Sequence, residues 1–496
     1  MKTNKTYSEL MQFQQDTEAL SSIAGRLSWD QETMMPHGST DQRADEHAAI
    51  VKIIHSRNAD QRIPEWIGRI RPQNEIEEAN IRLIKKNYQK ACKVSPDLNA
   101  AIARTTSKAH SIWASARERE DVAEYLPILT EIVNLKRQKA EALAEAGTYY
   151  EALADEYEPG MSTTDISAMF EELRPTIVGL RKEILAEDKI PSVTANFDKN
   201  IQLSLAKELA VIFGYDLNKG RIDLAIHPFS SGSGNDVRIT TRTDPSDPFN
   251  CIYSTIHEVG HATYEQNINH DYVFTPLGRG VSLGVHESQS RIFENQLGRS
   301  RAFTSWLFHR MKDLFGNFGI EDPESFYKCV NRVDPGYIRT EADELQYNLH
   351  VMLRFDLERL LISGDLNVSD VEGAWNERFE ADFGYKVERP SQGILQDVHW
   401  AAGAFGYFPT YTIGNIYAGC LFQRMKDEIP DLDVFLSTGN LDQATAWLRE
   451  NVQVHGSLFE PRATIEKATG AEVTVKPLLN YLEEKYRDIY GLQSCA

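Results

Sequence analysis

Two histidines four residues apart, with a glutamate directly after the first, are the side chains of this sequence best suited to chemistry. They are His257, Glu258 and His261, in the stretch STIHEVGHATYEQ (254–266). Residues four apart lie on the same face of a helix, so both imidazoles could donate a nitrogen to one Zn²⁺. Glu258 could then accept a proton from the attacking water. The pattern is typical of zinc peptidases, although two structural histidines at helical spacing would produce the same letters.

A helix must position these residues, and the flanking sequence predicts one over about residues 250–266. The stretch DPSDPFN (244–250) contains residues that favour a helix start. Apolar or β-branched residues then recur at helical spacing, at Ile252, Ile256, Val259 and Thr263. His257 and His261 would therefore point the same way from one helix.

A catalytic zinc site needs a third protein ligand. Tyr264 and Asn267 stand where the extended metzincin motif requires Gly and His, so that continuation is excluded. Further along, Glu287 lies at the start of a second helical pattern in VSLGVHESQSRIFENQ (281–296). We predict Glu287 as the third ligand; alternatively, its carboxylate only complements the N-terminal dipole of a helix.

Outside this region the sequence predicts a mainly α protein. Residues 1–215 and 297–496 show apolar residues at helical spacing. Within 221–296, the segments RIDLAIHPF and DVRITTR flank the turn-rich SSGSGN and predict a short β-hairpin, and 272–285 could add a strand. No linker-like composition divides the chain, so we predict one catalytic body over 1–496 with a small inserted sheet.

Charge and hydropathy exclude two classes of partner. The formal net charge is -20, whereas binding to nucleic acid phosphates needs clustered Lys and Arg. No run approaches the ~20 apolar residues needed to span a bilayer, and the N-terminus lacks the apolar core of a signal peptide. We therefore expect neither a nucleic acid nor a membrane partner.

The cysteines point to a reducing compartment. They lie far apart, are odd in number and form no CxxC pair, which argues against a disulfide framework and against a thiolate zinc site. We predict a cytoplasmic protein on this basis. The five residues are Cys92, Cys251, Cys329, Cys420 and Cys495.

Six motifs give the sequence a specific resemblance to the carboxypeptidase Taq family of metallocarboxypeptidases. They occur in the family's order, in a chain of the family's length, and the resemblance covers essentially the whole chain. WDQETMMP (29–36) and LLNYLEEKYRDIYG (478–491) add to it near the two ends. The six are HPF (227–229), DVRIT (236–240), HEVGH (257–261), HESQS (286–290), IRTEAD (338–343) and GILQDVHW (393–400).

The resemblance implies a mostly helical, dimeric enzyme with a deep active-site groove that releases single residues from peptide C-termini with broad specificity. It implies His257, His261 and Glu287 as ligands of one Zn²⁺ per subunit, or of Co²⁺ or Mn²⁺, and Glu258 as general base. A zinc oligopeptidase that cleaves inside short peptides is the alternative, because its metal chemistry is the same. A non-catalytic helical binding protein is the third hypothesis.

Hydrolysis also needs a hydrogen-bond donor for the oxyanion that develops on the substrate. The stretch VHWAAGAFGYFPTYTIG (398–414) offers His399, Tyr407 and Tyr411. The two tyrosines are favoured and the sequence does not separate them. Either could instead be a core tyrosine with a satisfied hydroxyl.

A carboxypeptidase must also bind a free α-carboxylate, which a planar guanidinium grips with two parallel hydrogen bonds. The resemblance favours Arg339 in IRTEAD, followed by Arg238 in DVRIT. Because Arg238 lies close to Asp236 on a predicted strand, a structural ion pair is an equal alternative.

Metal-bound imidazoles usually donate their second N–H to a carboxylate or a carbonyl. We predict His227 and Asp397 as outer groups of this kind, with Asp343 as a further acceptor, and His227 also as a substrate contact. His286 could contact substrate or pack at the start of a helix.

Overall fold

The computed structural model describes residues 5–145, 147–187 and 190–493, and Cys495 lies outside them. The chain divides into two units. Unit 1 comprises 1–92, 191–330 and 421–472, and unit 2 comprises 93–190, 331–420 and 473–496. The predicted metal ligands belong to unit 1, whereas Arg339, His399, Tyr407 and Tyr411 belong to unit 2.

Helices dominate both units, which confirms the mainly α prediction. None of the described helices is long and apolar enough to cross a membrane. The helices are α1 (Lys5–Thr33), α2 (Thr40–Asn58), α3 (Arg62–Arg69), α4 (Glu75–Lys93), α5 (Pro96–Arg119), α6 (Val122–Leu143), α7 (Tyr149–Ala154), α8 (Thr163–Ile184), α9 (Lys199–Ile212), α10 (Pro248–Asn267), α11 (Leu283–Arg291), α12 (Arg301–Phe315), α13 (Pro323–Val330), α14 (Tyr347–Ser363), α15 (Val371–Phe383), α16 (Pro409–Glu428), α17 (Leu432–Leu436), α18 (Asp442–Asn451), α19 (Pro461–Thr469) and α20 (Lys476–Tyr490).

A small sheet lies in unit 1, but its strands pair differently from the predicted hairpin. The strands are β1 (Ile222–Leu224), β2 (Ser230–Ser233) and β3 (Asp236–Thr241), in the spatial order β1-β3-β2. β1 runs parallel to β3, and the antiparallel partner of β3 is β2. The hairpin therefore uses the serine-rich segment that the sequence suggested as its turn.

Glycine explains this difference. Gly234 adopts φ +61° in the two-residue turn 234–235, which reverses the chain at once. Gly232 adopts φ +112°, and a Cβ there would overlap the carbonyl oxygen of Asp236. Backbone pairing at close range thus overrides the weak strand propensity of serine and glycine.

The strand suggested for residues 272–285 is wrong. The backbone N–H of Thr275 donates to the carbonyl of Tyr272, and that of Gly278 donates to the carbonyl of Thr275. Because consecutive turns satisfy these groups locally, β-formers in the segment do not need a partner strand.

The helix predicted over about residues 250–266 is present as α10. Pro248 occupies its first turn, and the side chain of Asp247 accepts a hydrogen bond from the backbone N–H of Phe249. Ile256 and Val259 are buried on this helix. Its side toward α11 contains Gly260, where a Cβ would lie 2.5 Å from the Ser290 Cα and 2.5 Å from the Gln289 carbonyl oxygen. Glycine therefore permits the close contact between α10 and α11.

Helix α11 begins after Ser282, whose hydroxyl accepts a hydrogen bond from the N–H of Val285. Glu287 is the fifth residue of α11, beyond the first turn, so its carboxylate is not a helix-start charge. The helix continues as a π-helical turn over Ile292–Leu297. Such turns often occur at functional sites, and this one carries Glu294.

In unit 2, α14 supports the loop that precedes α16. Glu358 of α14 is buried and accepts hydrogen bonds from Trp400 Nε1 at 2.8 Å, from Gly406 N at 3.0 Å and from the Tyr150 hydroxyl at 2.8 Å. These bonds fix Trp400 and Gly406, the loop residues directly after His399 and directly before Tyr407.

Gly260→Ala tests the close approach of α10 and α11. The added methyl group forces the helices apart, and overpacking of this kind costs about 1–3 kcal/mol. We expect a lower thermal midpoint and weaker zinc binding, because separation moves Glu287 away from the histidines. Thermal unfolding and a competitive zinc titration measure the two effects.

Gly25→Ala on α1 is the matched control, since nothing lies within 4 Å of the added Cβ. Alanine in a helix is favoured over glycine by up to about 1 kcal/mol, so this variant should be slightly more stable and bind zinc normally. Wild-type zinc affinity in Gly260→Ala would contradict the dependence on helix contact.

Candidate active site

Three side chains from α10 and α11 converge in unit 1. Glu287 Oε2 lies 3.7 Å from His257 Nε2 and 3.5 Å from His261 Nε2. One ligand atom from each residue lies within 4.8 Å of the others. The structure thus brings together the three residues that the sequence predicted as metal ligands.

These separations fit a divalent metal ion. A tetrahedral site with metal–ligand distances of about 2.0–2.1 Å holds its ligand atoms roughly 3.3 Å apart. The observed N–O distances of 3.5 and 3.7 Å are close to that value. Two imidazole nitrogens and one carboxylate oxygen are also the donor set of many catalytic zinc sites.

A hydrogen bond at Nδ1, the nitrogen that faces away from Glu287, fixes the ring of His257. His257 Nδ1 lies 2.9 Å from Glu294 Oε2. Burial raises the pKa of Glu294, but Arg291, His257 and Arg299 together bring it to about 2, so this group is an ionised acceptor. The shared hydrogen therefore belongs to Nδ1, so in the neutral ring the lone pair is on Nε2, on the side toward Glu287.

The two carboxylate oxygens of Glu287 have different partners, and this orients the side chain. Oε1 accepts a hydrogen bond of 2.7 Å from Arg291 Nε, which leaves Oε2 toward the two histidines. Burial opposes ionisation of this carboxyl group, but Arg291 and His257 hold its pKa well below the usual range. Glu287 is only 5% exposed and is therefore a buried, ionised ligand candidate.

The two histidines differ in electrostatics. Burial lowers the pKa of His261 to about 4, so its ring is neutral at pH 7. For His257 burial acts in the same direction, but the carboxylates of Glu287 and Glu294 outweigh it and raise the pKa. The carboxylate charges that favour a proton on His257 would also favour a metal ion there, so the two cations would compete for this ring.

Glu258 follows His257 on α10 and is 7% exposed. Burial raises its pKa to about 7, against the opposing effect of His257. A carboxyl group with a pKa near the working pH can both take up and release a proton, which is what a general base and acid requires.

A second cluster of charged side chains is buried in unit 2. Asp397 Oδ1 accepts from Arg339 Nη2 at 2.8 Å, and Asp397 Oδ2 accepts from Arg354 Nε at 2.7 Å. Arg339 is 4% exposed and Arg354 is fully buried. Burial lowers the pKa of Arg354 to about 10, and both arginines hold the pKa of Asp397 far below its usual range. At pH 7 these three residues carry one excess positive charge.

Arg339 therefore makes its two-pronged contact with Asp397 rather than presenting that edge freely. Its Nη1 donates to the Tyr347 hydroxyl at 2.9 Å.

The prediction that Asp397 or Asp343 accepts a hydrogen bond from a metal-bound imidazole is wrong. Asp397 binds the arginines, and Asp343 accepts from the backbone N–H groups of Leu345 and Gln346 before α14. The second nitrogens of His257 and His261 lie instead against Glu294 and His286.

The three predicted oxyanion donors lie together in unit 2. His399 Nε2 is 3.4 Å from the Tyr411 hydroxyl, and the rings of Tyr407 and Tyr411 are 5.4 Å apart. Burial lowers the pKa of His399 to about 4 despite the nearby Asp397, so the ring is neutral at pH 7. All three are partly exposed rather than fully buried.

Neither Arg238 nor His227 belongs to the cluster of His257, His261 and Glu287. Arg238 donates to Asp236 at 2.7 and 3.0 Å and stacks 4.4 Å above the Trp29 ring, so the expected ion-pair alternative is formed. It also lines a cavity of about 220 Å³. His227 is exposed on the connection between β1 and β2.

Comparison with known proteins assigns the chain to a family. A family model described as Carboxypeptidase Taq (M32) metallopeptidase matches residues 9–486. The chain belongs to this family. Members are peptide hydrolases of the carboxypeptidase class that depend on a metal ion, so this chain is a metallocarboxypeptidase with peptide substrates.

Relatives of the carboxypeptidase Taq family match along the whole length. Thermostable carboxypeptidase 1 from Thermus thermophilus is 39% identical over 99% of this chain and 100% of that protein. The crystal structure of an M32 carboxypeptidase from Deinococcus radiodurans R1 has a TM-score of 0.95 and 34% identity, covering 98% of this chain and 100% of that chain. Metallocarboxypeptidase 1 from Trypanosoma cruzi has a TM-score of 0.94 and 32% identity, with 98% and 100% coverage.

Sequence reasoning missed several residues of this carboxypeptidase that contact the predicted ones. Glu294 lies seven residues after Glu287 in the same helical pattern, which was a usable signal. Arg354 is a lone cation within the apolar run VMLRFDL (351–357), and such an isolated charge suggests a buried partner. Glu265, which contacts His286, has no sequence feature that would have marked it as part of the site.

Asp397→Asn tests the buried arginine pair. Removing the carboxylate leaves two buried guanidinium groups without their shared counter-charge, and breaking a buried pair costs about 3–5 kcal/mol. We expect a loss of that size in the free energy of unfolding, measured by urea denaturation. Asp334→Asn is the matched control, because its ion pair with Arg332 is exposed and should contribute less than about 1 kcal/mol. Equal stabilities of the two variants would contradict this account.

Proposed function

We propose that this metallocarboxypeptidase releases single residues from free peptide C-termini, with broad specificity, using a Zn²⁺ ion held by His257, His261 and Glu287. The observation that carries the proposal is the approach of one buried oxygen, Glu287 Oε2, to within 3.7 Å of both Nε2 atoms. Co²⁺ or Mn²⁺ could occupy the same donor set, since two nitrogens and one oxygen do not discriminate strongly among these ions.

Glu258 is proposed as the general base. When bound, a Zn²⁺ ion polarises the scissile carbonyl and makes a water molecule acidic. Glu258 takes the proton from the attacking water and returns it to the leaving amine, so one carboxylate serves both steps. Its pKa of about 7 supports this role.

Arg339 is proposed to attract the substrate's α-carboxylate. Support comes from the cluster with Arg354 and Asp397, whose excess positive charge a single carboxylate would neutralise. A free C-terminus is a chemical group of that charge, whereas an internal peptide bond is neutral. Internal cleavage by an oligopeptidase is accordingly not favoured.

Tyr411 and Tyr407 are proposed as alternative donors to the substrate oxyanion, with His399 as a third candidate. The 3.4 Å contact of Tyr411 with a neutral His399 supports Tyr411 slightly, because the imidazole can orient the hydroxyl. Arg238 and His227 are proposed as further substrate contacts. The cavity lined by Arg238 supports the first of these.

Three broader features stay proposals. We propose that residues 1–496 work as a single catalytic unit and that the protein forms a homodimer, both on the resemblance to the family. We also propose a cytoplasmic location, supported by the free thiols of Cys92, Cys251, Cys329 and Cys420.

Metal removal gives a direct test of metal dependence. Dialysis against a chelator should abolish release of C-terminal residues, and stoichiometric Zn²⁺ or Co²⁺ should restore it. Mass spectrometry of the products reports both the activity and the cleavage position. Full activity in metal-free protein would overturn the proposal, and products cut internally would favour the oligopeptidase.

Arg339→Met tests recognition of the free carboxylate. Asp397 keeps its contact with Arg354 in this variant, so the fold should survive. Loss of a hydrogen-bonded charge should raise KM for free peptides about 10- to 100-fold with a smaller change in kcat. Arg378→Met is the control, because Arg378 is a partly exposed partner of Asp356.

C-terminally amidated peptides complete this experiment. The wild-type enzyme should cleave them poorly, and Arg339→Met should lose most of the preference for the free acid. An unchanged preference in Arg339→Met would remove this residue from carboxylate recognition.

A further inference from the structure

His286 lies between a predicted metal ligand and a buried carboxylate. His261 Nδ1 and His286 Nδ1 are 3.2 Å apart, and His286 Nε2 is 2.7 Å from Glu265 Oε1. Glu265 lies one turn after His261 on α10, and the imidazole of His286, from α11, connects the two. The three side chains form a chain that ends on the His261 nitrogen facing away from Glu287.

The direction of each hydrogen bond follows from the chemistry of its groups. A carboxylate oxygen only accepts, so the hydrogen between His286 and Glu265 belongs to Nε2 of His286. With its single hydrogen on Nε2, the His286 ring accepts at Nδ1, and in this tautomer His261 Nδ1 donates to it. This leaves a lone pair on His261 Nε2, which is the form that binds a metal ion.

Surrounding residues hold this chain in place. The backbone N–H of Gly280 donates to Glu265 Oε1 at 2.8 Å. A Cβ at Gly280 would lie 2.5 Å from His286 Nε2, so a residue with a side chain would displace the ring. The Tyr264 ring covers His286 at a centroid distance of 4.8 Å. The imidazole is thus confined by packing as well as by hydrogen bonds.

We propose that His286 and Glu265 are positioning residues that set the tautomer and the ring orientation of His261, so that its Nε2 faces Glu287 Oε2. The proposal rests on the metal ligands given under the proposed function. Glu294 does the same for His257 by direct contact, whereas Glu265 acts on His261 through the intervening His286. Outer partners of metal-binding histidines typically contribute about 10- to 100-fold in metal affinity.

The zinc dissociation constant of two His286 variants tests this role. His286→Leu keeps a comparable apolar volume but has no acceptor, whereas the Oδ1 of His286→Asn can accept in about the place of Nδ1. We expect leucine to weaken zinc binding about 10- to 100-fold, and asparagine to recover most of the loss. Competition with a chromophoric chelator measures the affinities without reference to catalysis. If His286 served only packing, leucine would retain zinc and asparagine would lose it, and that order would overturn the proposal.

Two further variants complete the test of His286. His270→Leu is the matched control, because His270 is an exposed histidine in the same unit and should leave zinc affinity unchanged. Glu265→Gln tests the other end of the chain and applies if His286→Leu does not fold. Its amide can present oxygen or nitrogen to His286, so the tautomer is no longer fixed and affinity should fall about 10-fold; unchanged affinity would overturn the proposal.

The outcomes separate this inference from the metal site itself. Wild-type protein that binds no zinc would overturn the proposed ligands. Wild-type protein that binds one zinc ion, with equal affinity in folded His286→Leu, would overturn the positioning role alone. Thermal unfolding of the metal-free proteins identifies which variants are folded.

Discussion

The separation of helices α10 and α11 is the constraint on which the chemistry of unit 1 depends. A metal site needs its ligand atoms roughly 3.3 Å apart, and here the ligands come from two helices rather than one. Gly260 allows that approach, because the backbone of α11 occupies the space of its missing side chain. His257 and His261 can then face Glu287 without any long loop to position them. Precision arises from backbone contact between rigid elements.

Each unit holds its own cluster of buried charged side chains. In unit 1, the carboxylates of Glu287 and Glu294 lie next to imidazole nitrogens, a donor environment that suits a divalent cation, and Arg291 pairs with both carboxylates. In unit 2, Arg339 and Arg354 share the single carboxylate of Asp397, which leaves positive charge available for an anion. The residues that supply these charges are buried, so the charges are weakly screened.

The sequence predicted those parts of the structure that local patterns determine. The helix around His257 followed from a cap and from apolar spacing, both short-range signals. The prediction of Glu287 as the third ligand also needed the family resemblance, because packing between helices determines which distant carboxylate lies next to the two histidines. The strand suggested at 272–285 and the partner of β3 were wrong, since turn formation and backbone pairing depend on glycine conformations rather than on propensity. Arg339 was identified as important, but its bond to Asp397, 58 residues away, is a tertiary contact with no local signature.

Anomalous diffraction at the zinc edge, measured on crystals of the zinc-loaded protein, locates the metal ion without reference to catalysis. We expect one strong peak per chain, about 2.0–2.2 Å from His257 Nε2, His261 Nε2 and Glu287 Oε2. A peak at another site, or a bound ion from which the Glu287 carboxylate is turned away, would contradict this expectation.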